Sequence, residues 1–324
     1  MNYLMLSVGR RGELLKDFRQ SIEQGSKLVA TDFSPYAPAI YYADKQYLVP
    51  RIGDPKYIDT ILGICKTEQI HAVTTFIDPE IEVLAHNRDK FTAIGVEVLA
   101  PYEETAKLCF NKYLMFQHLK AHGIPTVMTW GTLEEFDEAR EAGMIDFPVF
   151  VKPRTGSGSV GARRVYSHEI LAESMNEDPS LIIQELMDCE DLDADVYIDT
   201  ITHEAVSAFS KRKLETRIGG ASKTISFKDE KLFAFITDIV KTLKFNGPVD
   251  MDFFYRDGQY YLSEVNPRFL PFVWVHRWIR VLLFRRQNIR QNFAKVDRLT
   301  AENIMNRKAE LNYVGLSFNF KTEK

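Results

Sequence analysis

Residues 245–269, FNGPVDMDFFYRDGQYYLSEVNPRF, carry carboxylates, an amide and an arginine on what reads as a two-stranded hairpin turning at Asp257-Gly258. Alternation along a strand puts Asp250, Asp252 and Phe254 on one face of the first strand, and Glu264 and Asn266 on one face of the second. A carboxylate from one strand, with a carboxylate and an amide oxygen from its neighbour, supplies hard oxygen ligands for Mg²⁺ held between phosphates. Arg268, just beyond, is placed to reach a phosphoryl oxygen. A merely solvated acidic hairpin would not account for Asn266-Pro267-Arg268.

Three other segments fit the same chemistry. Residues 147–166, FPVFVKPRTGSGSVGARRVY, read as a strand, a glycine-rich turn and a second strand. Gly156, Gly158 and Gly161 let backbone N–H groups turn toward a phosphate. Gly161 is followed by Ala162-Arg163 rather than Lys-Ser/Thr, so the turn is a flap between antiparallel strands and not a P-loop. Lys152, a cation within an apolar strand beside the flap, is a natural point-charge partner for phosphate, although such lysines also snorkel from cores. In residues 180–199 an apolar strand ends at Gln184-Glu185 before an acidic stretch and a strand containing Asp195. The Gln184 amide could read an adenine edge and a nearby carboxylate could hold ribose hydroxyls, but taken alone the stretch reads better as a solvated charged turn. Residues 209–224 place Lys211, Arg212, Arg217 and Lys223 around Gly219-Gly220, which reads as a mobile basic loop able to neutralise an anion.

The elements that must position these groups follow from the hydrophobic pattern. The first hundred residues alternate strand-like runs (YLMLSVG, KLVATDFSP, HAVTTFID, VEVLAP) with helical ones (RGELLKDFRQSIEQG closed by Gly25, YIDTILGICKTEQI, PEIEVLAHNRDKFTAIG). That order implies a parallel sheet with crossover helices. The Gly9-Arg10-Arg11 turn after the first strand is no GxGxxG fingerprint, and no dinucleotide site is expected. Asp32 at the end of the second strand either caps the following turn or holds a ribose. One helix is expected over PYEETAKLCFNKYLMFQHLKAHG, closing at Gly123, with a domain boundary near residue 105.

The 324 residues, 45% hydrophobic and 27% charged, describe a globular chain with a real core. A net charge of −4 gives no electrostatic footprint for nucleic acid. Cys65, Cys109 and Cys189 form no CxxC pair, which fits a reduced compartment without disulfides or zinc. The N-terminal apolar run is too short for a signal peptide, and His276, Arg277 and Arg280 interrupt the run over 269–284, so neither secretion nor a membrane span is expected. A cytoplasmic protein is the expectation.

Taken in order, Lys112, Lys152, the flap, the Gln-Glu hinge, the basic segment and the EVNPRF hairpin resemble the ATP-grasp superfamily, and most closely a synthetase half of the carbamoyl-phosphate synthase large chain. The resemblance covers residues 1 to about 269. It implies an α/β chain with a Rossmann-like pre-ATP-grasp domain (1–105), then a two-subdomain α+β ATP-grasp fold (106–324, with a flap-bearing subdomain at 145–190 and an atypical tail at 270–324). By position, Lys112, Lys152, the flap residues Thr155, Gly156, Ser157, Gly158, Ser159 and Gly161, and Gln184, Glu185, Leu186 and Met187 would bind ATP. Asp191 falls where relatives have a longer ribose-binding glutamate. Asp252, Glu264 and Asn266 would hold Mg²⁺, with Mn²⁺ as an alternative. Arg268, Lys211 and Arg217 would steady the transferred phosphoryl group. The implied reaction activates a substrate carboxylate as an acylphosphate for attack by an amine or similar nucleophile. A kinase on the same scaffold and a nucleotide-binding protein without turnover are the alternatives.

The chain is a single half-length unit, so carbamoyl phosphate synthesis by it alone is not implied. Relatives follow NPRF with a glycine-rich turn, whereas here LPFVWVHRWIRVLLFRR follows, and glycine is absent from 259 to 314. Two readings stand for 270–290: an amphipathic helix with Trp274, Trp278 and Leu282 on one stripe, covering the site or forming a homodimer interface, or a reading frame shifted after Phe269.

Overall fold

A computed structural model describes residues 1–156, 160–217 and 220–268. The tail reading for 270–324, with its proposed helix and interface, lies outside the described residues, as do Ser157, Gly158, Ser159 and the side chain of Arg217.

The first strand, β1 (Asn2–Leu6), is apolar from Tyr3 onward and those residues are buried, as expected for a parallel strand covered on both faces. It is followed by α1 (Gly12–Ser21), β2 (Leu28–Asp32), β3 (Lys45–Leu48), α2 (Tyr57–Thr67), β4 (Ile70–Thr75), α3 (Asp78–His86), α4 (Arg88–Thr92) and β5 (Glu97–Val98). The five strands form one parallel sheet in the order β3-β2-β1-β4-β5. Leu4, Leu6, Val29, Val73, Ile61, Ile81 and Leu84 knit sheet and helices into one core.

Several expected elements are shorter or differently divided. The first helix ends at Ser21, ahead of Gly25. The helical run expected over 79–95 breaks at Asn87, whose side-chain amide turns back to donate to the Val83 carbonyl at 2.9 Å. β3 departs from the sequence pattern, because its largely exposed KQYL has no apolar alternation. The single helix expected up to Gly123 is two, α5 (Glu103–Phe110) and α6 (Lys112–Ala121). Asn111 between them is extended, and its side-chain oxygen accepts from the Tyr113 and Leu114 N–H groups. That is an N-cap, and it makes Lys112 the first residue of a helix rather than a mid-helix lysine.

Beyond α6 come β6 (Thr129–Trp130), α7 (Leu133–Glu141), β7 (Val149–Pro153), β8 (Arg163–Val165), α8 (His168–Glu177) and β9 (Leu181–Glu185). Their strands form an antiparallel sheet, β6-β9-β7-β8, around Val149, Val151, Val165, Ile183 and Phe136. The chain then runs through β10 (Glu190–Ile198), β11 (Ala205–Arg217), β12 (Gly220–Phe227), α9 (Glu230–Thr242), β13 (Gly247–Arg256) and β14 (Gln259–Asn266). These strands make a second antiparallel sheet, β12-β11-β10-β13-β14. Leu192, Ala194, Val196, Val249, Met251 and Phe253 bury one face of it against Leu232, Ile236 and Ile239 of α9. The segment read as a mobile basic loop is therefore the β11–β12 hairpin. Alternation of polar and apolar residues in KRKLET is too weak to show that by itself.

Candidate functional site

The second face of the β12-β11-β10-β13-β14 sheet is charged. The β13–β14 hairpin turns at Asp257 and Gly258, with φ of 53° and 82°, the two positive values that a tight primed turn requires. Its register sets Asp250 opposite Asn266 and Asp252 opposite Glu264. Strict alternation would give Leu262, Glu264 and Asn266 one common face. Instead a register shift beside Asp252/Phe253 sends Leu262 and Val265 into the core and leaves Glu264 and Asn266 on the charged face.

On that face Asn266 Nδ2 donates to Asp250 Oδ2 (3.3 Å) and Asp252 Oδ2 (3.4 Å), which turns its amide oxygen away from both. Asp252 Oδ1 also meets Lys213 Nζ at 2.5 Å, and Lys213 reaches Asp191 Oδ1 at 2.8 Å. Asp250 is 2% exposed, and its Oδ1 has no hydrogen-bond partner among the described residues. Burial, then the neighbouring Asp252, raises its carboxyl well above the usual range. Among the described residues no three His, Cys, Asp or Glu side chains form a ready-made metal cluster. Two carboxylates and an amide oxygen, beside an unpartnered carboxylate oxygen, suit a hard cation that takes its remaining ligands from phosphates and water.

Lys112 ties three parts of this region together. Its backbone N–H donates to the Arg154 carbonyl at 3.0 Å, its Nζ donates to the Gly156 carbonyl at 2.7 Å, and its Nζ lies 3.8 Å from Glu264 Oε1. Lys152 stands on β7 opposite Ile182. Burial draws its ammonium down to about 8, against the opposing pull of Glu264. The flap begins at exposed Thr155 and Gly156 and ends at Gly161, where φ is 104° at Gly156 and 75° at Gly161. Those backbone values admit glycine far more readily than any other residue.

At the other end of β9, Gln184 is 6% exposed and donates through Nε2 to Thr129 Oγ1 at 2.8 Å. The Glu185 carboxylate is engaged within the protein, accepting from Met128 N at 3.0 Å and from Arg256 Nη1 at 3.1 Å. Leu186 and Met187 lie outside any strand between β9 and β10, so their backbone groups are the ones available for an adenine edge. Asp191 sits beside them on β10, paired to Lys213, its carboxyl raised by burial.

Two expected catalytic cations are placed differently from their sequence reading. Lys211 is not on a loop: it is buried on β11, donating to Asp195 Oδ2 at 2.7 Å and lying 3.0 Å from Asp193 Oδ1. Burial would depress its ammonium, but Asp195 and Asp193 outweigh that and raise it. Asp193 itself is pushed up to about 6 by burial. Arg268 donates to Asp78 at the start of α3, reaching across to the parallel sheet. Lys213, Asp193, Asp78 and the burial of Asp250 escape the sequence reading. The DLDAD alternation on β10 is the available signal for the aspartates, whereas nothing local marks Asp78.

A family profile described as ATP-grasp domain matches residues 109–271, and one described as PylC-like, N-terminal domain matches residues 3–99. A pyruvate carboxylase subunit from Methanothermobacter thermautotrophicus is 24% identical over 288 residues, covering 81% of this chain and 58% of that protein. The arginine-specific carbamoyl phosphate synthase large chain of Geobacillus stearothermophilus is 22% identical over 258 residues, covering 76% of this chain and 23% of its own length. The chain thus spans only part of each relative. The biotin carboxylase domain of Hydrogenobacter thermophilus 2-oxoglutarate carboxylase, solved with MgADP, ADP and bicarbonate, superimposes with a TM-score of 0.67 at 18% identity over 87% of this chain and 69% of that one. N5-carboxyaminoimidazole synthetase from Staphylococcus aureus complexed with ADP gives 0.66 at 18% identity, over 83% and 70%.

Proposed function

The chain belongs to the ATP-grasp family, and on that premise we propose that it is an ATP- and Mg²⁺-dependent ligase that joins a carboxylate to an amine through an acylphosphate. The observation that carries the proposal is the position of Lys112. It meets both Gly156, at the root of the glycine flap, and the Glu264 carboxylate, which supports a phosphate site between the flap and the oxygen ligands read on the β13–β14 hairpin. The same reading divides the chain near residue 105.

Residues of this chain then have separable tasks. Lys112 and Lys152 offset phosphate charge, and backbone N–H groups of the glycine flap donate to phosphate oxygens. Gln184 and the backbone at Leu186 and Met187 receive the adenine, and Asp191 the ribose. Asp252, Glu264 and Asn266 hold Mg²⁺, which when bound withdraws charge from the transferring phosphoryl group. Arg268 steadies that group from the side of the parallel sheet. A substrate carboxylate oxygen attacks the γ-phosphorus and ADP leaves. The amine then attacks the acyl carbon, inorganic phosphate leaves, and a proton is released as the amide forms. The two ADP-bearing neighbours, and the bicarbonate in one of them, support an acid substrate beside a nucleotide. Carbamoyl-phosphate-synthase-like chemistry at a cytoplasmic site is the finer form of the proposal.

ADP release from Mg-ATP, measured across carboxylates with and without an amine, tests it. Release that needs both supports ligation; release that needs the carboxylate alone indicates a kinase. Glu264→Gln is expected to lower the rate at least ~100-fold with the melting temperature unchanged. Full activity in that variant would overturn the metal assignment.

A further inference from the structure

The Gly9-Arg10-Arg11 turn has no task in the ligase reading given above. Strand order in the parallel sheet reverses between β1 and β4, which opens a crevice beyond the carboxyl ends of those two strands. Arg11 follows β1 into that crevice, and Asp78 follows β4. The turn carrying Arg11 is fixed: Gly9 N–H donates to Asp32 Oδ2 at 2.8 Å, and Ser34 N–H to Asp32 Oδ1 at 2.9 Å. Both Asp32 oxygens are therefore engaged by backbone, and the residue is a cap rather than a ribose ligand.

The charges in the crevice do not balance. Arg268 takes Asp78 as its ion-pair partner. Glu80, further along α3, is fully buried and its oxygens accept from the Tyr57 and Thr75 hydroxyls. Arg11 is partly buried, and its guanidinium makes no hydrogen bond or ion pair among the described residues. Burial first, and then repulsion from Arg268, hold it below its ordinary value; Arg10 adds to that repulsion, and Asp78 and the amide-capped Asp32 oppose it only in part. One guanidinium is thus left over beside Arg268, which stands only four residues beyond Glu264 in the chain.

We propose that Arg11 receives a second anionic group on the carboxylate substrate, so that the substrate spans from its reacting end at Arg268 to an anionic tail at the β1/β4 crevice. The substrate class is then a dicarboxylic acid or a phosphorylated carboxylic acid. This rests on the ligase reading for the role of the reacting end, while the anion site itself does not.

Calorimetric titration of the full chain, saturated with Mg-ADP, tests it with two pairs of probes: succinate against butyrate, and 3-phosphoglycerate against glycerate. At least one probe with two anionic groups (a dianion by that count, although the phosphate carries further charge) is expected to bind more tightly than its singly anionic partner, and which one does so tells a carboxylate tail from a phosphate tail. Arg11→Gln should weaken that dianion at least about tenfold, leave the monoanion and Mg-ADP unchanged, and be partly rescued by Arg11→Lys. The proposal is overturned if neither dianion outbinds its partner in the wild-type chain, a comparison that needs no variant. It is also overturned if Arg11→Gln weakens monoanion and dianion alike. ADP formation from a carboxylate with KM indifferent to Arg11→Gln would sink this proposal and keep the ligase. Arg11-dependent dianion binding with no turnover on any carboxylate would do the reverse.

Discussion

The parallel sheet and the charged antiparallel sheet handle polar groups in opposite ways. In the parallel sheet, helices cover both faces, and β1 and β2 are buried nearly throughout. Asp32, Thr75, Asp78, Glu80 and Arg11 gather at the carboxyl edge. In the antiparallel sheet one face is core, and the other presents Asp191, Asp193, Asp195, Lys211, Lys213, Asp250, Asp252, Glu264 and Asn266 side by side. At that edge each carboxylate is answered separately, Asp32 by backbone amides, Glu80 by two hydroxyls and Asp78 by Arg268. On the face, Lys211 and Lys213 each sit between two aspartates of other strands, so that charges compensate one another across the sheet.

The largest effect that would test this contrast is at Lys211. Lys211→Met leaves Asp193 and Asp195 without their cation, and is expected to destabilise the fold by about 3–5 kcal/mol near neutral pH. The loss should shrink as pH falls through about 6, where Asp193 takes up a proton; urea midpoints at neutral pH and at about pH 5 measure it. An unchanged midpoint at neutral pH would show that the face does not depend on pairing.

Lys152 comes next. Its folded value of about 8 lies below the ordinary lysine value, so between these two the unfolded chain binds more protons than the folded one. Stability is therefore expected to rise with pH across the window from about 8 to about 10.4, and the full cost of the buried charge is carried below it. The difference between wild-type and Lys152→Met unfolding curves isolates the contribution, which amounts to about 3 kcal/mol at most. Parallel curves across that window would refute the buried-charge account.

The smallest effect lies at the edge. Asp32→Ala removes two carboxylate–amide hydrogen bonds, from Gly9 and from Ser34, and is expected to cost about 2 kcal/mol. Unlike Lys211→Met, it breaks no ion pair among the described residues, only a longer-range attraction to Arg11. Thermal unfolding should show the smaller loss, and a loss equal to that at Lys211 would erase the distinction between edge and face.

Much of this arrangement is legible in the residues. The strand–helix alternation of the first hundred residues, the flap between antiparallel strands, and the β13–β14 turn at Asp257-Gly258 all follow from local pattern and turn chemistry. The ordered lysines, flap and EVNPRF hairpin identify the family. Less legible are features with weak local signals. Asn111 looks like any polar residue within a helical run until its side chain is seen to cap the next turn. KRKLET looks like a basic loop until Lys211 is seen between Asp193 and Asp195 of the adjacent strand.

Which chemistry the chain could perform follows from its residues alone, because donor types, glycine placement and strand periodicity are local properties. How those groups are shared is settled only by folding in three dimensions. The register shift in β14 separates Leu262 from Glu264, and strand pairing assigns Lys213 to Asp191 and Asp252. The contact between Arg268 and Asp78 leaves Arg11 unpaired among the described residues. Pairings of this kind join residues distant in the chain, and no local pattern encodes which charge will find its partner taken.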